Sequence, residues 1–177
     1  MKNGEAAKGS KSWRRKALSV ALQLALLVGV VVVASEWQAR HLLARRAPAP
    51  ALALRTLGGE EVSLEGARGR TVVLYFFAPW CSVCQYSSHN VVALRNARSE
   101  REVAIYAVGL DYESPADLER FARDHELNVP VLLGDDDVQR SFNVRSFPTI
   151  YVIDEDGRVR DRVIGYTTGL GLRLRSL

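Results

Sequence analysis

Seven apolar, β-favouring residues, Thr71-Val72-Val73-Leu74-Tyr75-Phe76-Phe77, run into Ala78-Pro79-Trp80 and then into Cys81-Ser82-Val83-Cys84. A run this apolar, with no alternation, reads as a central strand buried on both faces. After the polar stretch Gln85–Asn90, the apolar Val91, Val92 and Leu94 fall at helical spacing, which predicts a helix from about Cys81 to Arg98. A strand that ends in a short turn and opens a helix puts Cys81 at the helix N-terminus. The unpaired N–H groups and the dipole there favour a negative atom. A cysteine so placed has a lowered thiol pKa, and the thiolate is its reactive form.

The chain's two cysteines are both in this stretch. Three readings compete: a redox couple, half of a zinc site, or a structural disulfide. A structural zinc usually takes four protein ligands. Only His41, His89 and His125 could complete a set, and none falls at a recognisable spacing, so no metal is assigned. A bridge across two intervening residues closes almost no loop and adds little chain-entropy stabilisation. Haem attachment needs His after the second cysteine, and Gln85 stands there. A dithiol/disulfide couple fits best, with Cys81 attacking and Cys84 resolving. Trp80 is expected at the rim as a half-buried aromatic.

The run Tyr75-Phe76-Phe77-Ala78-Pro79-Trp80-Cys81-Ser82-Val83-Cys84 resembles the active-site strand and turn of the thioredoxin superfamily. More narrowly it resembles the membrane-anchored TlpA/ResA/CcmG-like thiol-disulfide oxidoreductases. Phe147-Pro148-Thr149 is similar to the family's cis-proline loop, which faces the two sulfurs and pairs with bound substrate. The resemblance covers roughly Ala51 to Tyr166. It implies Cys81, Cys84 and Pro148 as catalytic residues, with Trp80, Phe147 and Thr149 as substrate contacts. Thioredoxin itself carries a buried Asp six residues before the first active-site cysteine, and Tyr75 occupies that position here. TlpA/ResA-like proteins instead carry an acid after the next strand, which corresponds to Glu113. Buried near Cys84, such a carboxylate would have a raised pKa and could relay its proton.

A hydrophobic content of 47% can fill a core, and 177 residues suit one domain with an appendage. The net charge of +4 is a property of the tail: residues 1–16 hold six basic side chains against Glu5, while the rest holds 18 basic against 19 acidic. With no arginine-and-aromatic stripe and no glycine-rich phosphate loop, neither nucleic acid nor a nucleotide cofactor is implied, and no other cofactor is expected. From Ala17 to Ser35 there is no charged residue over 19 positions, close to the roughly 20 residues a membrane-crossing helix needs. A buried core helix would show a polar face, which this one lacks. A cleaved signal peptide is the rival, but the run exceeds the roughly 7–15 residues of its apolar region. The expectation is an uncleaved anchor over residues 17–35, a cytoplasmic basic tail over 1–16, and an Ala/Pro stalk over 36–50. The 51–177 domain then lies in the periplasm at a bacterial inner membrane.

Within that domain, Ala51–Leu57 and Glu60–Leu64 read as a hairpin around Gly58-Gly59. Val103–Leu110, Val131–Leu133, Thr149–Ile153 and Val159–Ile164 read as strands, the last two joined by the turn Asp154–Gly157. Ser114-Pro115-Ala116-Asp117 is a helix start. Asp135-Asp136-Asp137 lacks the ligand alternation of a calcium loop and reads as a solvated helix N-terminus. The sum is an α/β thioredoxin fold: a mixed central sheet flanked by helices, an added N-terminal β-hairpin, and one preceding transmembrane helix. The expected partners are periplasmic protein disulfides or dithiols and a separate membrane electron donor or acceptor. The resemblance points to a reductant, for instance in cytochrome c maturation. A dithiol oxidant, a copper-stress redox protein and a Cu(I)-handling module without turnover are the alternatives.

Overall fold

The structure is a computed structural model and describes residues 8–176. Its contacts divide the chain into two units, Met1–Gln38 and Ala39–Leu177. The first is helix α1, Lys8–Ala39. The stretch Lys16–Ala34 has a mean hydropathy of 2.6, and every side chain in it is exposed. This is a helix long and apolar enough to cross a membrane. Residues 1–7 of the basic tail lie outside the described residues, and from Lys8 the rest of it is helical.

The second unit is built on a five-stranded sheet. Its elements are β1 (Ala53–Arg55), β2 (Glu61–Ser63), β3 (Thr71–Phe77), α2 (Ser82–Ala97), β4 (Val103–Gly109), α3 (Pro115–Asp124), β5 (Val131–Leu133), α4 (Asp136–Ser141), β6 (Thr149–Ile153), β7 (Val159–Ile164) and α5 (Gly169–Arg175). The sheet order is β5-β4-β3-β6-β7, with β1 and β2 forming a separate antiparallel hairpin. Strand β3 pairs in parallel with β4 and antiparallel with β6, so the sheet is mixed, and all seven β3 residues are buried. Alternation along it sorts the two cores. Val72, Leu74 and Phe76 join the cluster with Phe142 and Tyr151, while Val73, Tyr75 and Phe77 join the one with Val91, Leu94, Leu118 and Phe121. Helices α2, α3 and α5 cover the second face; α4 and the β1–β2 hairpin cover the first.

Helix α3 starts as its sequence dictates. Pro115 opens it, and the Asp117 carboxylate accepts from both the backbone N–H and the hydroxyl of Ser114. Helix α5 spans seven residues, with Thr168 as its N-cap.

The expected stalk over residues 36–50 is not a free spacer over its second half. Leu42 is 5% exposed and belongs to the first core cluster. The Arg46 and Ala49 N–H groups donate to the carbonyls of Val159 and Gly157, and the Val159 N–H donates back to Ala47. The Leu43 N–H donates to the Tyr151 hydroxyl, while Arg162 donates to the Leu43 carbonyl. Arg45 and Arg175 both pair with Asp161. The Ala47-Pro48-Ala49-Pro50 run lies along the edge of the sheet, where Pro48 bridges Arg158. A proline is tolerated at an edge because its missing N–H need not serve a second strand.

Candidate active site

Strands β3 and β4 end together, with Phe77 opposite Gly109, and β6 begins beside them, with Thr149 opposite Phe76. Three loops therefore leave one end of the sheet: the cysteine loop after β3, Leu110–Ser114 after β4, and Ser146–Pro148 before β6. Carboxyl ends of parallel strands are where open α/β sheets present their sites.

Cys81 is the N-cap of α2. Its sulfur accepts from the Cys84 N–H at 3.2 Å, and its carbonyl accepts from Gln85 at 3.2 Å. Cys81 and Cys84 are joined in a disulfide with Cα atoms 5.2 Å apart. Cys81 is 7% exposed and Cys84 is fully buried, so the sulfur at the helix mouth is the one an incoming group can reach. A helix N-terminus that donates to this sulfur also stabilises it as the thiolate.

The Phe147–Pro148 peptide is cis, as the resemblance implied. Pro148 is buried, and its carbonyl accepts from Gly165 at 2.8 Å. Phe147 packs against the core cluster that contains both cysteines. Trp80 stands edge-on to Phe147, with ring centroids 5.9 Å apart, and its indole N–H donates to the Asp111 carbonyl at 3.1 Å. It thereby links all three loops. It is 63% exposed rather than half-buried, because only its edges are held. Beside it opens a groove of about 380 Å³ lined by Pro79, Trp80, Tyr112, Glu113, Phe121 and His125.

Two further residues sit differently from expectation. Glu113 is exposed on the wall of this groove rather than buried against Cys84, because Pro115 starts α3 two residues later and leaves the preceding turn in solvent. Thr149 is fully buried, and its hydroxyl donates to the Ser146 carbonyl at 2.8 Å. Its side chain shapes the proline loop from within and offers nothing to a bound partner.

The group that does meet Cys84 is Tyr75. Its hydroxyl donates to the Cys84 carbonyl at 2.8 Å, and its ring stacks on Phe77 at 5.6 Å. Burial pushes this phenol up, so it is a neutral donor at any ordinary pH. The position was visible in the sequence as the place of thioredoxin's acid. The residue type hid the contact, since a Tyr in an apolar run reads as core.

A thioredoxin fold carrying a bonded Cys-x-x-Cys at the mouth of a helix defines a thiol-disulfide oxidoreductase. Residues 46–162 match the AhpC/TSA family, and the chain belongs to it. It is 33% identical over 122 residues to the thioredoxin-like protein YneN of Bacillus subtilis, covering 68% of this chain and 71% of that one. It is 29% identical over 161 residues to the thiol-disulfide oxidoreductase ResA of Geobacillus kaustophilus, covering 89% and 92%. Among solved structures, a putative thiol:disulfide interchange protein DsbE from Chlorobium tepidum superposes with a TM-score of 0.69 at 25% identity, covering 75% of this chain and 95% of that one.

Proposed function

We propose that this protein is a membrane-tethered thiol-disulfide oxidoreductase, anchored by residues 17–35 at a bacterial inner membrane. Its domain works on the periplasmic side, as a reductant of protein disulfides. The observation that carries the reading is the asymmetry of the pair: the Cys81 sulfur at the helix mouth is 7% exposed, and Cys84 is sealed behind it. In the reduced protein the Cys81 thiolate attacks one sulfur of a partner disulfide. An S–S bond forms to Cys81, and the partner's other sulfur leaves as a thiolate. Cys84, deprotonated, then attacks the Cys81 sulfur, which closes the Cys81–Cys84 bond and releases the partner's second sulfur. The partner gains two electrons, and a dithiol donor must return them to the pair. Pro148 and Phe147 hold the partner segment across the sulfurs, with Trp80 bounding it.

The anchor rests on the length and apolarity of Lys16–Ala34 and on ResA-like relatives of nearly equal length. The basic side chains before it favour a cytoplasmic N-terminus. A cytochrome apoprotein disulfide is the substrate class that the family resemblance favours. An insulin-reduction assay on the full chain, with and without Cys81→Ser, tests the activity, and the substitution is expected to abolish turnover. The reduction potential of the pair tests the direction: near about −270 mV it is a reductant, and near about −120 mV an oxidant. Stoichiometric Cu(I) binding without turnover contradicts the enzyme.

A further inference from the structure

Beside the Tyr75 phenol, two serine hydroxyls follow Cys84 one helical turn on. The Tyr75 phenol is engaged with the Cys84 carbonyl. Ser88 donates to the Gln85 carbonyl at 2.6 Å. Ser87 is different: it is 1% exposed, and its hydroxyl has no hydrogen-bond partner in the protein. A buried polar group left unpaired is unfavourable and calls for an explanation. Ser87 stands three residues after Cys84 in α2, and both are among that helix's buried residues. Residues at this spacing are neighbours one turn apart, and helical side chains lean back toward the preceding turn. The Ser87 hydroxyl therefore lies on the Cys84 side of the helix. In the oxidised protein the Cys84 sulfur is held in its bond to Cys81.

We propose that Ser87 is a positioning residue for the redox pair: its hydroxyl is unpaired while the disulfide is closed, and it donates to the Cys84 sulfur once reduction releases it. The proposal rests on the redox reading of the pair. In the step concerned an external dithiol is oxidised to a disulfide, giving up two electrons and two protons. The Cys81–Cys84 bond breaks, and both cysteines leave as thiols. The released Cys84 sulfur is free to turn toward Ser87, and as a thiolate it is the stronger acceptor. Two consequences share one cause. The oxidised state carries an unsatisfied hydroxyl that the reduced state satisfies, so the couple is more oxidising than it would otherwise be. A bond donated to the thiolate also favours the form of Cys84 that attacks the mixed disulfide.

The test is Ser87→Ala in the full chain, with Ser88→Ala as the control, equilibrated against glutathione. Ser87→Ala is expected to shift the equilibrium about tenfold toward the disulfide, about 30 mV more negative. The pH profile of mixed-disulfide resolution is expected to move to higher pH. The oxidised variant should unfold no more easily than the parent, while the reduced variant loses stability. Ser88→Ala should leave the potential in place. An unchanged potential in Ser87→Ala, or an oxidised variant that is destabilised or fails to fold, overturns the proposal. If the parent pair itself does not equilibrate with glutathione, it is the redox reading that fails.

Discussion

Against the backbone carbonyl of Cys84 the chain puts a phenol, at the sequence position where thioredoxin carries a carboxylate. The two differ in what they can do. A buried carboxylate can take a proton from the resolving thiol, whereas the Tyr75 proton is already given to the Cys84 carbonyl. The acid that the resemblance offered in compensation, Glu113, is on the surface. Its exposure predicts that Glu113→Gln leaves the pH profile of thiol exchange between pH 5 and 9 where it is in the parent. An exposed substitution of this kind is worth within about 0.5 kcal/mol. Stopped-flow exchange rates across that range check this, and a profile displaced by Glu113→Gln would mean that the loop folds inward in the reduced protein.

At the scale of elements, the edge strand β7 is tied to its neighbours through Asp161. This carboxylate receives Arg45 from the segment before β1 and Arg175 from α5. Burial pushes Asp161 up, but the Arg162 N–H and the two arginines more than offset this and hold it below the usual carboxylate range. A group depressed in the folded state stabilises fully above its unfolded pKa of about 3.9, and that contribution is lost as pH falls through the lower folded value. Thermal unfolding should therefore show a Tm that drops on acidification through that window. Asp161→Asn should remove part of the slope and lower Tm at pH 7 by the equivalent of about 1 kcal/mol, since Arg45 is half exposed. An unaltered slope would mean that the tie carries no stability.

The elements themselves were largely legible. Uninterrupted apolarity marked β3, the Asp154–Gly157 turn marked the β6–β7 hairpin, and Ser114-Pro115 marked the start of α3. These signals are local. The docking of residues 42–50 was not legible, because Ala-Pro alternation describes an extended backbone equally well in solvent or along a sheet edge. Thr149 and Glu113 departed from expectation for a related reason, because burial is set by neighbours distant in sequence; for Tyr75 the burial was legible and the hydrogen bond to the Cys84 carbonyl was not.

Taken whole, the chain is an apolar helix and a domain that starts earlier than its Ala/Pro pattern implies. Leu42 sits in the same core as Phe76, Phe142 and Tyr151. Leu42→Ala should destabilise the domain by about 2–5 kcal/mol, the range for a buried leucine. A free spacer would give no change, and denaturant titration distinguishes the two. The proposed function is electron exchange by a pair whose outer sulfur alone meets partners. Trapping tests that most directly. The reduced Cys84→Ser protein, mixed with a disulfide substrate, should accumulate a mixed disulfide on Cys81 visible by mass spectrometry, while Cys81→Ser accumulates none. Equal capture by both variants, or capture by neither, would contradict it.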